Sequence, residues 1–99
     1  MARFDVYKNA GGSGYLLDVQ ADLLNHLNTR IVVPLLPLDV APIPAKTLNP
    51  VFNVEDITVS MVTQFMAAVP VQILKPALLN LGSQRDKITA AMDLLFQGY

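Results

Sequence analysis

The chain has 99 residues, a formal net charge of -1 and no cysteine, which fits a single domain over 1–99 and excludes a multidomain enzyme, disulfide frameworks, thiolate metal sites and cysteine nucleophiles. Apolar residues make up 53% and charged residues 15%, more apolar material than so small a monomer readily hides, so an oligomer or a sticky partner surface is expected. Seven Lys and Arg against eight Asp and Glu leave no basic excess, which argues against direct binding to nucleic-acid phosphates.

Residues 1 to 8 alternate charge with bulk and lack the apolar stretch of a secretory leader. No apolar run reaches the ~18 residues of a membrane span, and Pro34, Pro37, Pro42 and Pro44 interrupt the longest candidate. A soluble, cytoplasmic protein without a membrane partner is expected.

Residues 3 to 8 put Phe4 and Val6 on one face and Arg3, Asp5 and Tyr7 on the other, the period-2 pattern of a half-buried strand. The glycine-rich 9 to 14 reverses the chain, and 15 to 20 resumes an extended apolar run, which predicts an antiparallel hairpin. A phosphate-binding reading of these glycines fails, because no Gly-Lys-Ser/Thr and no helix follow. Residues 21 to 29 hold Leu23, Leu24 and Leu27 at helical spacing and predict a short helical turn or crossover.

Residues 30 to 36 are β-branched and apolar, so they predict a buried strand that ends or bulges at Pro34, where a ladder donor is missing. The proline-rich 37 to 50 predicts an ordered surface loop or a short edge strand. A second hairpin is expected from 51–54 and 57–62 around Glu55 and Asp56. Residues 63 to 70 lead to a further short strand at 71–74. The closing segment differs: Ser83 and Asp86 resemble a capping box, and Ile88, Ala91, Met92, Leu95 and Tyr99 form an apolar stripe on one long helix. Leu94 and Phe96 flank that stripe and widen it beyond what one small sheet needs. The fold class expected is mostly β with one C-terminal α-helix, arranged as a compact barrel or sandwich-like sheet.

Candidate chemistry is sparse. His26 lies four residues after Asp22, so the two can meet on a helical turn, but no second histidine completes a metal site and no nucleophile motif accompanies them. Adjacent Glu55 and Asp56 point to opposite sides of an extended chain and suit a turn better than acid–base catalysis. Arg30 stands near Asp22 and Asp18 and reads as a structural ion pair, or else as a partner-binding residue. Met61, Met66 and Met92 with Phe65 line a peptide groove or fill core gaps. No cofactor is implied, and the residues describe a binding protein rather than an enzyme.

Four runs together carry a resemblance: Asp18-Val19-Gln20-Ala21-Asp22, Arg30-Ile31-Val32-Val33-Pro34-Leu35, Thr63 with Met66-Ala67-Ala68-Val69-Pro70-Val71, and the terminal helix from Asp86 to Gly98. In order and spacing, over nearly the whole chain, this resembles the CcdB family of toxins from toxin–antitoxin modules. The resemblance implies an SH3-like β-barrel of the kind shared by CcdB and MazF, assembled as a homodimer. It implies a non-enzymatic inhibitor that binds the A subunit of DNA gyrase and traps the cleaved DNA complex. It further implies a plasmid-maintenance role, neutralisation by a CcdA-like antitoxin, and contact with DNA only through the antitoxin complex that represses transcription. By the same resemblance the gyrase-binding end is Gln97, Gly98 and Tyr99, with Gln97 standing where the family has Trp. Two alternatives stay open: an mRNA endoribonuclease of the MazF type using Arg30 with a nearby Thr or Asp, and a non-toxic homologue that retains only antitoxin binding.

Overall fold

A computed structural model describes residues 2–74 and 76–98. Strands β1 (Asp5–Lys8) and β2 (Tyr15–Asp18) form the expected hairpin, pairing Val6 with Leu17 and Lys8 with Tyr15. Its turn depends on Gly14, at φ +80°, where a Cβ would stand 2.2 Å from the Leu35 carbonyl oxygen. Glycine is the residue that tolerates both the backbone angle and the close approach.

Strand β3 (Thr29–Pro37) is the spine of the sheet. On one side it pairs with β2, and on the other its two halves take different partners: residues 29–32 pair with β6 (Ala67–Pro70) and residues 35–37 with β5 (Ile57–Met61). Pro34 falls at the change of partner. Its carbonyl accepts from Val62 N at 3.0 Å, so the side on which its N–H is missing faces the break between β5 and β6, which is filled by a 3-10 turn at Thr63–Phe65. In a strand one residue's N–H and C=O share a side. The absent donor therefore meets an interruption that exists anyway, and β3 runs on to Pro37 instead of ending or bulging at Pro34.

Strand β4 (Val51–Val54) joins β5 through Glu55 and Asp56, whose φ of 51° and 66° are the paired left-handed angles of a two-residue type I′ loop. With β7 (Leu79–Asn80), the strand order is β4-β5-β3-β2-β1-β7, and β6 branches from β3. The result is a curled half-barrel covered by one helix, α1 (Arg85–Gln97). The expected SH3-like, CcdB/MazF-like architecture is found. Ile88 and Ala91 of α1 are fully buried against Val6, Leu17, Val33, Leu35 and Met61.

Three local expectations change. Residues 71–73 form a 3-10 turn, and the strand lies upstream as β6, because the open half of β3 aligns with 67–70. The capping box at Ser83 does not form: a 3-10 turn at Gly82–Gln84 delays the helix start, and no side chain caps α1. Asn80 acts instead, its Oδ1 accepting from Gly82 N at 2.7 Å. Tyr7, assigned to the outer face, is buried together with Asp18 and Arg30.

Candidate functional site

Two regions hold the residues singled out from the sequence: a buried polar cluster behind β2 and β3, and the free end of α1. The cluster is built by strand alternation, since Asp18 and Arg30 face the side of the sheet away from the apolar core. Arg30 Nε donates to Asp18 Oδ2 at 2.8 Å, and its Nη2 makes an ion contact with the same oxygen at 2.7 Å. Nη1 bonds Asn25 Oδ1, and Asp18 Oδ1 accepts from Gln20 N at 3.0 Å. Arg30 is 1% and Asp18 0% exposed. Burial pushes the Asp18 carboxyl above its usual range, opposed by the hydrogen bond from Arg30. Beside them the Tyr7 hydroxyl is buried without a hydrogen bond, and burial, reinforced by the Asp5 and Asp18 carboxylates, pushes it up to about 12.

This cluster fastens three segments of the chain together. Arg30 ties β3 to β2 and, through Asn25, to the exposed 3-10 turn at Asp22–Leu24. Gln20 adds to the fastening by accepting from Ile31 N and donating to Leu24 O. Asp22 does not partner Arg30, and its Oδ1 takes the Arg3 N–H at 2.8 Å, while His26 is exposed. Among the described residues no group of His, Asp and Glu could hold a metal ion. Met61 is in the core and Met66 and Met92 pack partly against it, so the methionines fill gaps and leave Phe65 half exposed.

The free end of α1 is the opposite environment. Exposure rises along the helix from buried Ile88 and Ala91 to Leu95 and to Phe96, which is 68% exposed. Gln97 is exposed, and Gly98 closes the helix in the left-handed region at φ 81°, its N–H donating to Leu94 O at 3.0 Å. Tyr99 lies outside the described residues. The helix thus carries Phe96, Gln97 and Gly98 into solvent from a seat fixed in the core. The sequence reading flagged Phe96 only as surplus bulk. It missed Ile43, 94% exposed between Pro42 and Pro44, although an apolar residue framed by two prolines is a readable sign of a stiff projecting loop.

The proline-rich loop is held from its far end. Asn49, buried, accepts from Ala45 N at 2.9 Å and donates to Met61 O and Gln64 Oε1, and Thr63 donates to Leu48 O. Between this loop, β4 and α1 lies an open cleft of about 430 Å³ lined by Thr47, Pro50, Val51, Asp86, Lys87 and Ala90.

No helix of the described residues is long and apolar enough to cross a membrane. Among solved structures, an endoribonuclease in complex with its cognate antitoxin from Mycobacterial species matches 94% of this chain and 91% of its own, with TM-score 0.76 and 18% identity. At that identity the likeness is one of fold, an SH3-like half-barrel closed by a C-terminal helix. A sequence profile of the CcdB protein family matches residues 3–98. The chain belongs to the CcdB family, and that membership fits a toxin of a toxin–antitoxin module.

Proposed function

We propose that this protein is a cytoplasmic toxin of a type II toxin–antitoxin system that acts without catalysis, as a homodimer presenting the end of α1 to the A subunit of DNA gyrase. Gln97, Gly98 and Tyr99 are the contact residues, and a CcdA-like antitoxin neutralises the toxin and brings it to DNA only as part of their complex. The observation that carries this reading is the exposed Phe96-Gln97-Gly98 end on a helix anchored by Ile88 and Ala91, in a chain of the CcdB family. The test is gyrase-dependent DNA cleavage with purified enzyme. Deleting residues 97–99 should leave folding intact, because the buried residues of α1 lie earlier, and should abolish cleavage. Gln97→Trp should strengthen it, since an indole offers more contact area at a hot spot. Unchanged cleavage by the deletion variant rejects the helix end as the poisoning element.

One observation favours a second reading, an endoribonuclease: the solved structure quoted above is one. Arg30, the residue that reading needs, is 1% exposed and held by Asp18 and Asn25, which keeps it buried away from an RNA phosphate. Cleavage of RNA by the purified protein without gyrase would decide for the nuclease.

A further inference from the structure

β4 closes one side of the sheet, and its outer edge is unpaired among the described residues. Met61 N donates to Pro50 O at 2.9 Å, which makes Pro50 and Met61 a hydrogen-bonded pair. By alternation, Phe52 with Val59 and Val54 with Ile57 are also bonded pairs. Val51 and Asn53 therefore turn their N–H and C=O groups outward. Beside this edge, Val51 forms one wall of the cleft that reaches across to Ala90 and Lys87 of α1.

The two ends of β4 differ in charge. Glu55 and Asp56 stand at one end and form no salt bridge among the described residues. Lys87 stands at the other, with Asp86 beside it in the cleft wall. The acidic end is also built at a cost. Glu55 and Asp56 occupy left-handed angles that Asn and Gly adopt more readily, and Thr47, β-branched, has φ 70° on the cleft wall. Among the described residues, three of the four non-glycine residues with positive φ thus flank one edge strand. Glu55 is further held by Tyr15 Oη, which donates to its Oε1 at 2.9 Å.

We infer that the open edge of β4 receives an extended, lysine- or arginine-bearing segment of the antitoxin as an added strand, with an apolar side chain in the Thr47–Ala90 cleft and the cation against Glu55 and Asp56. The main-chain groups of Val51 and Asn53 supply affinity, and the charges select the segment. This rests on the antitoxin reading above.

The experiment uses the complex formed with the co-expressed antitoxin. Amide exchange of Val51 and Asn53 should slow by about tenfold or more on binding. The double variant Glu55→Gln, Asp56→Asn should keep the fold, because Gln still accepts from Tyr15 and Asn suits a left-handed position, yet bind about tenfold more weakly for two lost charges. Ala90→Arg, on the exposed side of α1, should fill the cleft and block binding while thermal unfolding is unchanged. Binding with unaltered exchange at Val51 and Asn53 and undiminished affinity in the charge variant overturns this inference and leaves the antitoxin reading standing. If no antitoxin binds the unaltered protein, both fall.

Discussion

Tyr7 is 1% exposed and its hydroxyl has no hydrogen-bond partner, an arrangement that penalises the folded state because a buried hydroxyl has given up water for nothing. Tyr7→Phe should be neutral or stabilising by about 1 kcal/mol in urea unfolding. The pH dependence follows from its pKa, raised from 10.0 to about 12 by burial and the nearby carboxylates. Above pH 10 the unfolded chain releases this proton while the folded chain keeps it, so stability falls from pH 10 to about 12. The loss is of the order of 2 to 3 kcal/mol, and Tyr7→Phe should flatten that alkaline limb. Asp18 and Arg30 obey a different rule, since each compensates the other's buried charge. Asp18→Asn alone should destabilise by about 3 to 5 kcal/mol, a loss that a denaturant midpoint would report. Replacing Arg30 by Met as well should recover part of it.

At the scale of elements, two glycines with positive φ carry different structural demands. Gly14→Ala meets both a left-handed φ and the Leu35 carbonyl at 2.2 Å, so it should cost several kcal/mol, about 3, or prevent folding. Gly98→Ala has the same sign of φ with nothing within 4 Å; its cost should stay near 1 kcal/mol. Thermal unfolding of the two variants checks the contrast. Both hairpins and α1 were legible in the sequence because period-2 alternation around Gly14 and around Glu55-Asp56, and the Ile88-Ala91-Met92 stripe, are local signals. The displacement of a strand from 71–74 to Ala67–Pro70 was not legible, because it depends on which half of β3 stands open. The start of α1 was misplaced for a related reason: Asn80, anchored by Arg3 O and Asp5 Oδ1, reaches the turn from β7, where a pattern search around Ser83 does not look. Of the candidate site, the pairing of Arg30 with Asp18 could be anticipated, whereas its depth and the role of Asn25 came from the crossing of three segments.

For the whole molecule, the apolar surplus noted in the composition appears as surface. Leu23 is 91%, Ile43 94% and Phe96 68% exposed, on three separate parts of the chain. The proposed homodimer would cover part of this. Sedimentation at micromolar concentration should give twice the 10.8 kDa chain mass, and a monomer alone would reject the dimer.

The shared spine also sets a timetable for the nascent chain. β3 leaves the ribosome with only β2 already available, waits for β5, then for β6, and the core beneath it stays uncovered until Ile88 and Ala91 arrive. Such order, with partners far apart along the chain, belongs to slow-folding topologies. A chain that stops before α1 leaves Val6, Leu17, Val33 and Leu35 without the cover of Ile88 and Ala91, so the barrel should close only once α1 is made, and the same helix carries the proposed contact with gyrase.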